Sequence, residues 1–309
     1  MSNKNPLVSV VIPTRNRPEL ISRALHGVFN QTLTDIEVIV VLDGPDETTL
    51  QVLNKMADPR LRVIRLPKQS GPPTARNAGI VASRSKWLTF LDDDDEWMPS
   101  KLEMQLESAK RSKDPYPVIS CKVVSRSENG DCVWPRRVPR PKEPLSEYLF
   151  CRKSLFFGES FLQTSTIFTK RALLLQVPFR TDLKINEDLD WLIRASNIRG
   201  VSIEFVPVPL VILHNEITRS RLSNSPDWRY SLAWIQSNVD LVTPNAYRSF
   251  IMTWLSSDAA RQGDWKAFYF LIREALKHGK PSLIDTIIYF GNWVIPRSLR
   301  SRAAALFGY

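Results

Sequence analysis

Hydrophobic positions alternate between two rhythms over the first hundred residues. Residues 7–12 form a compact, largely apolar run rich in Val and Ile that stops at Pro13, as a strand buried on both faces does. Residues 18–29 then place Leu20, Ile21, Leu25 and Val28 at helical spacing. Residues 36–42 repeat the first pattern and stop at Asp43-Gly44-Pro45. Beyond it, 46–56 read as a helix, 61–66 as a strand, 72–82 as a helix with proline in its first turn, 87–91 as a strand and 99–108 as a helix. This alternation predicts an α/β fold with a doubly wound, mostly parallel sheet flanked by helices. Ligands of such sheets bind beyond the carboxyl ends of the strands. The loops at 13–17, 43–46, 67–76 and 92–96 are therefore expected to share one rim.

After Val118 the rhythm changes. Residues 118–125 and 132–133 read as strands joined by a turn at Glu128-Asn129-Gly130-Asp131. Residues 134–144 contain four prolines and read as a loop. Further strands are expected over 163–169, 201–206 and 209–213, with a helix over 186–196. From about residue 227 the chain turns helical and aromatic, with Trp228, Trp234, Trp254, Trp265 and Trp293. The pattern groups residues 1–226 as one α/β domain, with halves at 7–115 and 116–226, and leaves 227–309 as a helical extension.

Composition narrows the chemistry. Cys121, Cys132 and Cys151 include no C-x-x-C pair, and His26, His214 and His278 lie far apart. A disulfide framework and a zinc site are both disfavoured, which fits a reducing compartment such as the cytoplasm. Residues 7–12 are too short for the core of a signal peptide, and no apolar run is long enough to cross a bilayer. The formal net charge of +10 suits an anionic partner: a nucleotide, a phospholipid surface or a nucleic acid. No nucleic-acid-binding motif accompanies it.

The sharpest feature is Asp92-Asp93-Asp94-Asp95, set directly after an apolar strand. Adjacent carboxylates repel, and a divalent cation relieves the conflict. In an extended segment alternate side chains share a side, so Asp92 and Asp94 are expected to face one Mg²⁺ or Mn²⁺ while Asp93 turns away. On the same rim, Arg15 and Arg76 suit phosphate oxygens, and Asp43 suits a base or ribose donor. Neither G-x-G-x-x-G nor G-x-x-x-x-G-K-[ST] occurs, so phosphates are left to arginine and metal.

The motifs Val8-Ser9-Val10-Val11-Ile12-Pro13-Thr14-Arg15-Asn16-Arg17, Asp43-Gly44, Ala75-Arg76-Asn77-Ala78-Gly79, Leu91-Asp92-Asp93-Asp94-Asp95 and Asn186-Glu187-Asp188 occur in that order. Together, over residues 7–214, they resemble family 2 glycosyltransferases of the GT-A fold. The resemblance implies an inverting enzyme that takes a sugar from a nucleoside diphosphate, UDP by family habit. The acceptor would be a saccharide or lipid-linked saccharide, in the synthesis of a surface polysaccharide. It places Pro13, Thr14, Arg15, Asn16, Asp43, Arg76, Asp92 and Asp93 around the nucleotide, and Asp94, Asp92 and His214 on Mn²⁺ or Mg²⁺. Asp188 becomes the general base, with Glu187 and Trp191 beside the acceptor. Leu42 stands where many relatives carry a second aspartate before Asp43. A sugar-phosphate nucleotidyltransferase and a non-catalytic nucleotide-binding module are the alternatives. The former would need a glycine- and lysine-bearing first loop that Pro13–Arg17 lacks. Near the end, Trp293, Ile295, Leu299, Leu306 and Phe307 mix with Arg297, Arg300 and Arg302, which suits peripheral contact with an anionic membrane.

Overall fold

The computed structural model describes residues 5–128, 130–155, 158–214 and 227–295. Its strands are β1 (Val8–Thr14), β2 (Ile36–Leu42), β3 (Leu61–Arg65), β4 (Trp87–Phe90), β5 (Asp95–Trp97), β6 (Tyr116–Ser127), β7 (Gly130–Trp134), β8 (Phe168–Lys170) and β9 (Val201–His214). Its helices are α1 (Pro18–Phe29), α2 (Glu47–Lys55), α3 (Pro72–Ala82), α4 (Lys101–Arg111), α5 (Leu145–Phe150), α6 (Arg171–Gln176), α7 (Glu187–Ser196), α8 (Trp228–Ser237), α9 (Pro244–Ser249), α10 (Ser256–Arg261), α11 (Trp265–Leu276) and α12 (Leu283–Val294). The chain divides into two compact units, Met1–Arg126 with Leu162–Asn215 and Ser127–Phe161 with Glu216–Tyr309. Residues 127–161 cluster with the C-terminal helices, whereas the hydrophobic pattern groups them with the first domain.

The first unit is an α/β sheet with strand order β3-β2-β1-β4-β8-β6-β9-β5. β1, β2, β3 and β4 are mutually parallel, so their carboxyl ends meet on one rim. β6 and β9 are parallel, while β8 and β5 run antiparallel to their neighbours. β1 and β2 are buried along their whole length, as runs that place apolar side chains on both faces must be. Burying each Val, Leu or Ile side chain contributes about 1.5–3 kcal/mol. Gly79 lets α3 lie close on this sheet, since a Cβ there would meet Val11 Cγ1 at 2.3 Å.

Two local expectations change. The strands expected at 201–206 and 209–213 are one strand, β9. A register shift opposite Cys121 to Val123 takes up its prolines. The expected strand at 163–169 begins instead with a 3-10 turn over Thr164–Thr166. Gln163 and Thr166 cap it reciprocally, which lets side-chain hydrogen bonds displace the β-forming tendency of threonine.

The second unit is helical apart from β7. Phe150, Trp234, Phe250 and Trp254 pack ring on ring with centroids 4.8 to 6.4 Å apart. Its buried Asp285 accepts from Ser249 Oγ at 2.8 Å. Among the described residues no helix is long and apolar enough to cross a membrane. The basic segment with Arg297, Leu299, Arg300, Arg302, Leu306 and Phe307 lies outside the described residues, as does Asn129.

Candidate active site

The four aspartates do not continue β4. The Asp95 N–H donates to the Asp92 carbonyl at 3.1 Å, closing a turn. β5 then starts at Asp95 and pairs with β9, setting Asp95 opposite Leu213. The extended geometry expected for 92–94 is therefore absent. Exposure nevertheless alternates: Asp92 and Asp94 are partly exposed, Asp93 and Asp95 buried.

Each carboxylate has its own surroundings. Asp93 receives Thr14 Oγ1 at 2.7 Å and Arg17 Nη1 at 2.8 Å. Burial pushes its carboxyl up to about 6, against the pull of Arg17 and Thr14. Asp95 receives Ser165 Oγ at 2.7 Å and Gln163 Nε2 at 3.2 Å. Burial holds it well above the usual carboxylate range, with the charges of Asp92 and Asp94 adding to the effect. Asp92 receives Arg76 Nη2 at 2.8 Å on one oxygen and Gln163 Nε2 at 3.0 Å on the other. Its own N–H donates to Ser165 Oγ at 3.0 Å. Asp94 lies 3.7 Å from Arg17 Nη1.

Arg76 joins this turn to α7. It is 4% exposed, and its second nitrogen reaches Glu187 Oε1 at 3.2 Å. The Phe179 ring covers the guanidinium, 5.6 Å from centroid to Cζ. Asp188 follows Glu187 in the first turn of α7, after Asn186 in the left-handed conformation at φ 65°. Burial pushes the Asp188 carboxyl up to about 7; Glu187 and Asp92 add to the rise, and Arg76 and the Leu189 N–H oppose it. Arg76, Asp92, Glu187 and Asp188 thus form one electrostatic group from three separate motifs.

The loops after β1 and β2 are joined through Arg15 and Asp43. Asp43 accepts the N–H groups of Ser70 at 2.7 Å and Gly71 at 2.9 Å. Gly71 caps α3 at φ 89°, a backbone that favours glycine. Asp43 thereby ties the end of β2 to the start of the helix that carries Arg76. Arg15 Nη1 donates to the Asp43 carbonyl at 2.9 Å. Asn16, left-handed at φ 51°, donates its N–H to Asp46 at 2.5 Å. Pro13 is buried within β1.

Two predicted site residues stand elsewhere. Trp191 is completely buried, donates to the Val177 carbonyl at 2.8 Å and stacks on Phe179. It is a core side chain, so the acceptor contact expected of it is corrected. His214 Nε2 lies 2.6 Å from Glu96 Oε1, and Glu96 also pairs with Arg23 at 3.2 Å. Arg17, Asp46 and Asp95 are organising residues that the motifs leave without a role, while Gln163 and Ser165, expected to face the acceptor cleft, bind Asp92 and Asp95. Asp46 has a local signal, an N-cap whose side chain accepts from Thr49 N–H.

Among the described residues no three His, Cys, Asp or Glu side chains form a ready-made metal site. Asp92, Asp94 and His214 are not gathered as a three-ligand set; Glu96 contacts His214 Nε2, and Arg76 and Gln163 donate to the two oxygens of Asp92. A site of one or two carboxylates completed by phosphate oxygens does fit. Asp94 is a partly exposed hard oxygen donor, and Mg²⁺ and Mn²⁺ favour that mode.

Comparison with known proteins agrees with the motifs. The family model "Glycosyl transferase family 2" matches residues 9–177, more than half of the chain. The succinoglycan biosynthesis protein ExoO of Rhizobium meliloti (strain 1021) is 36% identical over 189 residues, covering 60% of this chain and 54% of that protein. The hyaluronan synthase of Pasteurella multocida is 34% identical over 113 residues, 36% of this chain and 12% of that enzyme. Matches to the first relatives span 43% to 66% of their length. Among solved structures, S. aureus TarS 1–349 in complex with UDP-GlcNAc superposes with a TM-score of 0.53 at 19% identity, covering 93% of this chain and 79% of that one. The mannosyltransferase PcManGT from Pyrobaculum calidifontis, in complex with GDP-Man and Mn²⁺, superposes with a TM-score of 0.50 at 18% identity, covering 99% of this chain and 75% of that one. At such identities the likeness speaks for the fold, which is of the GT-A type.

Proposed function

This chain belongs to glycosyl transferase family 2, and on that premise we propose that it moves a sugar from a nucleoside diphosphate to a saccharide or lipid-linked saccharide with inversion. The observation that carries the reading is the meeting of Asp92, Arg76, Glu187 and Asp188 on one rim, with Arg76 reaching a partner 111 residues away. UDP is the favoured nucleotide. Relatives named for succinoglycan and hyaluronan synthesis support a role in polysaccharide assembly.

In this reading the bond from the anomeric carbon to the diphosphate breaks as the acceptor hydroxyl attacks the opposite face. Asp188 takes the hydroxyl proton. Its carboxyl, raised to about 7, is matched to that task, since a general base works best with a pKa near the working pH. A divalent cation held by Asp94, beside Asp92, together with the diphosphate oxygens would supply Lewis-acid stabilisation of the leaving group. Arg76 orients Asp92 and Glu187 and holds positive charge beneath the site. Arg17, tied to Asp93 and near Asp94, offers a half-exposed guanidinium to the phosphates. Asp43 and Thr14 shape the nucleotide side.

A panel of nucleotide sugars, scored by release of nucleoside diphosphate with Mn²⁺ or Mg²⁺, tests the proposal. At least one donor is expected to be turned over, and the turnover should disappear with a chelator and in Asp94→Ala. Donors that bind without any release would make the chain a binding module instead.

A further inference from the structure

α12 carries no exposed charge. Its single charged side chain, Asp285, is 1% exposed and bound to Ser249. The outward positions Leu283, Ile287, Phe290 and Val294 follow one another at spacings of four, three and four, and are 75%, 47%, 44% and 74% exposed. Such a stripe faces one direction along a helix. α11 carries a matching exposed series in Trp265, Tyr269 and Leu276. The two helices meet through their rings: Trp265 lies 5.3 Å from Trp293 and Phe268 lies 5.9 Å from Phe290, between ring centroids. One apolar, aromatic surface therefore runs across both helices.

Within residues 265–295 the exposed charges are of one sign. Between Trp265 and Ile295 the only carboxylates are Glu274 and Asp285, and both are buried. Lys266, Arg273, Lys277 and Lys280 are all exposed. A second copy of the same surface would press cation on cation, because a twofold contact repeats one patch on both partners. An anionic lipid headgroup layer answers both properties at once, with apolar rings at the acyl boundary and lysine and arginine in the headgroups. A helix of 12 residues is about 18 Å long, too short to cross the roughly 30 Å hydrocarbon layer, so each would lie along it.

We propose that the exposed face of α11 and α12 is a docking surface for an anionic phospholipid membrane. Its residues belong to the second unit and none of them has a role in sugar transfer, so it stands or falls independently of that reading.

Flotation of the full chain with vesicles of phosphatidylcholine, with and without phosphatidylglycerol, tests it. The wild-type chain should float with the anionic vesicles, less with the neutral ones, and less again at high salt. Ile287→Asp with Phe290→Asp should lower the membrane-bound fraction by at least about tenfold, because it sets charges into the apolar stripe. Its nucleotide release in vesicle-free solution and its circular dichroism should match the wild type. Lys266→Glu with Lys280→Glu leaves the stripe intact and should remove only the preference for phosphatidylglycerol and the salt dependence. Equal flotation of wild type and the Asp double variant, no flotation of the wild type, or a loss that instead follows dissociation of an oligomer in light scattering would each overturn the proposal.

Discussion

The first unit buries two cations in opposite ways. Arg76, 4% exposed, sits between Asp92 and Glu187 at the carboxyl ends of the strands. Lys101, fully buried in α4, has only neutral partners: Thr89 Oγ1 at 3.2 Å, Gln105 Oε1 at 2.7 Å and the Trp97 ring at 3.8 Å. Carboxylates hold Arg76 above its ordinary range, whereas burial pushes Lys101 down to about 7. Burial alone therefore assigns no role to a charge; its partners do. The partners of Arg76 reach the rim and can meet a ligand. Gln105, bound to Lys101, donates inward to the carbonyls of Ile119 and Thr166 and so supports the turn that seats Ser165, Asp95 and Asp92.

The contrast can be broken first at Arg76. Arg76→Met strands Asp92, Glu187 and Asp188 together, and breaking a buried pair in this way costs about 3–5 kcal/mol. Denaturant titration should show that loss, and nucleotide release should fall by roughly 10³ or more. A fully stable variant would mean the carboxylates do not depend on this cation.

Asp188→Asn should keep the fold and the donor affinity while turnover falls by about 10²–10⁴, the usual contribution of a general base. Turnover equal to the wild type would remove Asp188 from the mechanism. The pH profile sharpens the point. The base acts ionised, and its pKa is raised to about 7, so kcat/KM should rise with pH through that value and level off above it. The residual rate of Asp188→Asn should lack this limb.

Lys101→Met has the smallest expected effect and the opposite sign. The lysine pKa is lowered by folding, so the unfolded chain holds a proton between about pH 7 and 10 that the folded chain has released. The wild type should then gain stability as pH rises through that window. Removing the amine should raise the Tm by about 2–4 °C at pH 7, and the advantage should shrink towards pH 10. A lowered Tm at pH 7 would show that the hydrogen bonds to Thr89 and Gln105 outweigh the cost of burial.

Much of this site is legible in the residues, and the rest has a physical reason for its silence. Pro13-Thr14, Asp43-Gly44, Arg76 and the four aspartates stand at strand ends and helix starts that their neighbours specify. The backbone of the acidic run is different. An extended chain would have aligned Asp92 with Asp94, but the pairing of Asp95 with Leu213 bends the run into a turn. Trp191 reads more readily as core than as a sugar platform, and Phe179 and the Val177 carbonyl hold it in the core. Gln163 carries no local sign that its amide reaches both Asp92 and Asp95.

By itself the sequence determined the alternation of buried strands and amphipathic helices, the turns that end them, and the order of the motifs. Those depend on backbone sterics and on apolar periodicity between near neighbours. Tertiary structure alone decided which partner each charge takes: Thr14 for Asp93 across 79 residues, Glu187 for Arg76 across 111. Such pairs exist only once the strand order has brought distant loops to one rim, and burial there raises the proton affinity of Asp93, Asp95 and Asp188.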